Sequence, residues 1–102
     1  MKTKMIIELV KMEVLPTTTN EQIFEQVNAI NSFIEKQDGF IAAELIKAVE
    51  DNTWYFIYHI ENMEKLKTVG EKIRRIGLFN EIMPLLVPGS MKISFFHQLK
   101  KW

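Results

Sequence analysis

The sequence predicts an α+β domain with the element order β-α-β-β-α-β. Three observations carry that reading: two stretches with apolar residues at helical spacing, four stretches rich in β-branched and aromatic residues, and turn residues between them. The stretch "WYFIYHI", residues 54 to 60, adds a constraint. A strand sends alternate side chains to opposite faces, so one face carries Trp54, Phe56, Tyr58 and Ile60 and the other Tyr55, Ile57 and His59. Neither set is polar, so both sides of the sheet need cover.

Residues 4 to 15, "KMIIELVKMEVL", read as the first strand, stopped by Pro16. "TTTNEQIF" opens a helix, where Thr18 and Glu21 have capping-box spacing and satisfy N–H groups that a first turn leaves unpaired. Ile23, Val27, Ile30 and Ile34 form its apolar stripe, flanked by Phe24 and Phe33, and Asp38-Gly39 is expected to end it. Phe40 to Val49 is the second strand, "EDNT" the connection, and "WYFIYHI" the third. A second helix begins near Asn62, with Met63, Leu66, Val69, Ile73 and Ile76 on one face and Gly77 at its end. Phe79 to Val87 reads as a short extra helical turn with Pro84 near its start, and Pro88-Gly89 leads into a last strand over about Met91 to Leu99.

At 102 residues, 47% hydrophobic and 25% charged, the chain fits a single globular domain, 1–102. Lys+Arg and Asp+Glu are both 13, a balance that argues against nucleic acid, whose binders present a basic surface to phosphates. No "KGFGFVxF"-like run marks an RNA-binding sheet either. Without cysteine there is no disulfide framework, thiol nucleophile or thiolate metal site. In "MKTKMIIELV" the apolar run is interrupted by Glu8, and Lys11 follows, so neither a signal peptide nor a membrane span is expected and the cytoplasm is the expected location.

The element order is that of the ferredoxin-like split βαβ fold, a four-stranded antiparallel sheet with both helices on one face. Four strands about 4.8 Å apart and about 20 Å long leave a footprint on the order of 400 Å² on the other face. Soluble monomers rarely expose a much larger apolar patch. A second copy of the sheet across a twofold axis is the simplest cover, so a homodimer through the sheet face is expected.

With those elements in place, the sequence resembles the dimeric α+β barrel superfamily, specifically its antibiotic-biosynthesis-monooxygenase-like group. The resemblance rests on "IIELVKMEVLP" running into "NEQIFEQVNAINSFIEKQDGF", on "AAELIKAVEDNTWYFIYHIEN", and on "FNEIMPLLVPGSMKISFF" with its "PLL" and final strand. It implies two sheets closed into one barrel across a dimer, and a pocket between sheet and helices. Members include cofactor-independent monooxygenases of aromatic polyketides, haem-degrading enzymes and quinol oxygenases. The oxygenases place an asparagine on the first strand and a tryptophan near the end of the third; the haem degraders add a histidine on the second helix. Here residues 1 to 16 contain no asparagine, the third strand ends Tyr58-His59-Ile60, and residues 61 to 90 contain no histidine. Haem degradation is the activity these departures weaken most.

Candidate chemistry is sparse. His59 and His97 are the only imidazoles, and no spacing suits a metal site, so no metal is expected. His59 could serve as a general base; the structural alternative is a core histidine paired with a carboxylate, for which Glu8 on the neighbouring first strand is the expected partner. Trp54, Phe56 and Tyr58 could line a pocket for a flat aromatic ligand, with the Tyr58 hydroxyl orienting it, or pack as plain core. Gly70 interrupts the apolar stripe of the second helix at a cost of about 1 kcal/mol relative to alanine. Close packing of the helix on the sheet is the expected compensation, a cavity the alternative. Lys72, Arg74 and Arg75 form a basic cluster that suits a solvated helix face, and Ser94 and His97 point to opposite faces, which argues against a nucleophile–base pair.

The functional expectation is a small-molecule-binding protein resembling cofactor-independent monooxygenases of hydrophobic aromatic substrates, acting without metal or flavin. The alternative is a non-catalytic ligand-binding or regulatory dimer lacking the reactive residues. A ligand is expected between the Trp54–Phe56–Tyr58 row and the second helix at Gly70, and no membrane partner is expected.

Overall fold

A computed structural model describes residues 5–102. Its elements are β1 (Ile6–Glu13), α1 (Asn20–Ile34), β2 (Phe40–Lys47), β3 (Thr53–Ile60), α2 (Met63–Ile76), a short 3-10 turn (Met83–Leu85) and β4 (Lys92–His97). The expected start of β1 at Lys4 lies outside the described residues. The strands form one antiparallel sheet in the order β2-β3-β1-β4. This is the ferredoxin-like arrangement, with α1 and α2 both on one face. Among the described residues no helix is long and apolar enough to cross a membrane.

Register shows how the sheet divides its side chains. Glu8 stands opposite Tyr58, Val10 opposite Phe56 and Met12 opposite Trp54, and all six are buried under the helices. The intervening residues Ile7, Leu9, Tyr55, Ile57 and His59 face the open side and are half-buried. The period of two thus survives on both central strands, and both faces are apolar. On β2 the register shifts between Phe40 and Ala42, a bulge that spends Ile41 as an extra residue and leaves it 51% exposed.

Local signals set the helix ends. The capping box forms one residue later than the spacing of Thr18 and Glu21 suggested: Thr19 Oγ1 accepts from the Gln22 backbone N–H, and the Gln22 side chain accepts from the Thr19 N–H. Thr18 instead donates its hydroxyl to the Leu85 carbonyl at 2.9 Å, tying the start of α1 to the 3-10 turn. α1 stops at Ile34 under a right-handed Glu35 cap, earlier than Asp38-Gly39, and Gly39 with φ 94° serves the following turn. α2 begins after its Asn62 cap, as expected, and ends at Gly77 in the left-handed conformation.

Ile23, Val27, Ile30 and Ile34 from α1, with Leu66, Val69 and Ile73 from α2, bury against the sheet. Ile82 and Leu86 flank the 3-10 turn and are also buried. Val14 bridges to Leu86, so this segment closes the core at the end of β1.

Candidate functional site

Among the described residues, two clefts set the sheet's β2 and β1–β4 halves against the helices. One, about 480 Å³, lies between α2 and the β1–β4 half; its lining includes Glu8, Met63, Leu66, Gly70, Arg74 and Phe95. The other, about 670 Å³, lies between α1 and β2, with Trp54 and Phe56 from β3 among its walls. The structure therefore does not gather Trp54, Phe56, Tyr58 and Gly70 into one pocket. Trp54 and Phe56 belong to the α1 cleft and Gly70 to the α2 cleft. Tyr58 is fully buried, its ring tilted 40° against Phe56 with centroids 5.6 Å apart, and it stands across from Glu8.

Gly70 corrects its expected role. A Cβ built there would meet only the Arg74 guanidinium, at 3.6 Å, so the missing side chain is not what lets α2 approach the sheet. It widens the cleft instead.

His59 also corrects its expected role. It cannot pair with Glu8, because Glu8 is in register with Tyr58 and shares its face, while His59 stands opposite Ile7 on the open side. The neighbouring strands do bring the two residues to adjacent rungs of the ladder, but side-chain parity separates them. His59 makes no side-chain hydrogen bond among the described residues. His97 lies on the helix-bearing side by register, exposed at the end of β4.

Glu8 is the group that sequence reasoning named only as a partner for His59. It is 5% exposed, on the floor of the α2 cleft. Burial raises its carboxyl above the usual range, and the neighbouring Tyr58 hydroxyl draws it partly back. The Tyr58 hydroxyl is itself raised by burial and by the Glu8 charge, so it stays protonated. The two groups feel each other, yet the hydroxyl makes no hydrogen bond of acceptable geometry and remains buried without a partner. The signal for Glu8 was present in "IIELV", an acid on the inward phase of a strand, but it needed the β1–β3 register to be legible.

The α2 cleft thus combines Met63, Leu66 and Phe95 with one buried acid, and Lys67, Glu71 and Arg74 also line it. Such a site can hold a flat apolar molecule and accept a proton from it. Among the described residues no group of three His, Asp or Glu side chains is placed to hold a metal ion.

No protein-family profile and no curated protein matches the chain. Solved structures do. SnoaB, a cofactor-independent oxygenase from Streptomyces nogalater, superposes with a TM-score of 0.80 at 11% identity, covering 97% of each chain. A candidate antibiotic biosynthesis monooxygenase from Nitrosomonas europaea gives 0.78 at 10% identity, over 97% of this chain and 94% of that one. A dimeric ferredoxin-like protein of unknown function from Thermobifida fusca gives 0.73 at 10% identity, over 94% and 92%. At such identities the likeness is one of fold: the chain has the ferredoxin-like βαββαβ fold that these structures share.

Proposed function

We propose that the protein binds a hydrophobic aromatic molecule in the α2 cleft and oxidises it in the manner of the cofactor-independent oxygenases whose fold it shares. The observation that carries this reading is Glu8, a buried carboxyl with a raised pKa on the floor of a cleft that has Met63, Leu66 and Phe95 in its walls. A carboxylate so raised is a stronger base than an exposed one. A substrate with an acidic methylene between aromatic rings would lie against Phe95, Met63 and Leu66 and lose a proton to Glu8. The carbanion left behind reduces dioxygen; one oxygen atom stays as a carbonyl and the other leaves as water. In sum R₂CH₂ + O₂ gives R₂C=O + H₂O, with no outside reductant. Arg74 places a positive charge where the anion forms.

The proposal includes a homodimer through the open sheet face. What supports it is the apolar character of that face: Ile7, Leu9 and Ile57 at its centre, with Ile46 46% and Phe96 49% exposed toward its edges. A second copy would bury these groups isologously.

Oxygen uptake with anthrone as substrate tests the reaction. Glu8→Gln should lower the rate by about 10² or more, as expected for loss of a general base, while anthrone still binds. An unchanged rate would defeat the assignment. The second reading, a non-catalytic ligand-binding dimer, is favoured by the absence of asparagine from residues 1 to 16. It would be established by a ligand found by native mass spectrometry after purification, together with no oxygen uptake.

A further inference from the structure

The α1 cleft is not used by the proposed reaction, and its chemistry differs from that of the α2 cleft. One wall is a single face of α1, where Asn20, Phe24, Val27, Asn28 and Asn31 follow each other at helical spacing. The facing wall is β2, an edge strand of the sheet, and the floor is Trp54 and Phe56.

Two details give this cleft a preference. The first is an aromatic corner: Phe24 meets Trp54 edge to face, with centroids 5.9 Å apart and planes at 69°, and Phe24 is 48% exposed. The Trp54 indole N–H is already used, donating to Asn52 Oδ1 at 3.1 Å, and the ring is only 3% exposed, so it closes the floor of the corner while Phe24 supplies the open ring face. A third ring can stack in that corner. The second detail is Asn31. Its Nδ2 donates to Glu35 Oε1 at 2.9 Å, while its Oδ1 is buried and has no partner among the described residues. The orientation of the amide follows from Glu35, since the reverse placement would set two acceptors against each other. A buried amide oxygen without a donor is costly and rare.

We infer that the cleft between α1 and β2 is a second ligand site, for a neutral planar aromatic molecule carrying one O–H or N–H donor. The ring occupies the Phe24–Trp54 corner, and the donor satisfies Asn31 Oδ1. A neutral guest is preferred, because Glu35 is bonded to the same amide and Lys47, on the same face as Trp54, already donates its ammonium to the Ala48 and Asp51 carbonyls. This inference stands apart from the proposed oxidation, which uses Glu8 and the other cleft.

The test uses the full chain with Trp102→Phe, so that Trp54 is the sole indole fluorophore. The probes are 2-naphthol and 2-methoxynaphthalene, which differ by the donor. Saturable change in Trp54 emission is expected with 2-naphthol, and binding of the methoxy compound about tenfold weaker, the worth of one hydrogen bond to a buried acceptor. Asn31→Leu should erase that difference, and Glu8→Gln should leave it in place. Phe24→Ala, at a half-exposed position, should weaken both probes at least about fivefold by removing one side of the aromatic corner. Absence of a saturable signal overturns the inference, as does equal affinity for the two probes or no effect of Phe24→Ala. A preference that persists in Asn31→Leu, or that disappears in Glu8→Gln, also overturns it by placing the probe elsewhere.

Discussion

Replacing Tyr58 by phenylalanine should make the protein more stable. The side chain is fully buried, and its hydroxyl has no hydrogen-bond partner among the described residues. A buried polar group left unsatisfied costs about 1–3 kcal/mol, whereas the ring, packed at 5.6 Å from Phe56, is kept by the substitution. The hydroxyl still draws some benefit from nearby Glu8, so the low end applies: a gain of about 1 kcal/mol, or about 4–8 °C in Tm for a domain of this size. Urea and thermal unfolding at one fixed protein concentration measure it, since dimer formation would make Tm concentration-dependent. The pH dependence sharpens the test. Tyr58 lowers the raised pKa of Glu8, so it favours the ionised carboxylate, and its removal should stabilise more at acid pH than above the Glu8 titration. A loss of 1 kcal/mol or more in Tyr58→Phe would refute the reasoning, because it would mean that the hydroxyl is properly bonded in solution.

Glu8→Gln should remove a pH-dependent part of the stability. The folded pKa of Glu8 lies above its ordinary value of 4.5, so its contribution is fully present below the unfolded pKa and is lost as pH rises through the folded one. Unfolding free energies measured across that window should fall with pH in the wild type more steeply than in the variant; parallel curves would contradict the raised carboxyl. Gly70→Leu should fold as well as the wild type, because a Cβ there meets only Arg74 at 3.6 Å and a non-glycine residue gains up to about 1 kcal/mol of helix propensity. It should also fill the α2 cleft and abolish anthrone turnover, and a folded variant with full activity would move the reaction elsewhere. Ile57→Glu places a charge on a central strand of the open face, where pairing across a twofold axis would bury it at a cost of several kcal/mol. Sedimentation should show a folded monomer, and an intact dimer would mean that this face is not the interface.

The order of elements was legible because each carried its own period and its own punctuation: the isoleucine stripe of α1, Asn62 and Gly77 around α2, Pro16 after β1. The doubly apolar third strand was legible for the same reason, and the burial alternation along it follows the sequence residue by residue. The failures share a cause. Pairing His59 with Glu8 required the register between two strands, which no local pattern contains, and an offset of one residue reverses every face. The capping box moved by one residue because three consecutive threonines offer the same oxygen, and Gln22 could close the box as well as Glu21. The role of Gly70 and the division of the aromatic row between two clefts depend on where each helix crosses the sheet, a tertiary quantity.

Glu8 is hard to account for as a structural residue. Its neighbours on the inward face of β1 are Ile6, Val10 and Met12, all buried, and any of these residue types would pack there without a desolvation cost. The fold gives the acid no compensating ion pair among the described residues, and the hydroxyl across from it, Tyr58, is not aligned to bond it. Both groups therefore weaken the core at neutral pH, a local conflict between sequence and fold. Conflicts of this kind concentrate where a side chain serves something other than folding. Here the conflict sits at the floor of a cleft that a glycine widens and that an arginine borders, where an acidic apolar guest would relieve it by giving Glu8 a proton. A purely structural Glu8 would predict the opposite energetics, with Glu8→Leu unfolding the chain. If that variant proves more stable than the wild type and binds aromatic guests but no longer oxidises them, the acid is there for the reaction.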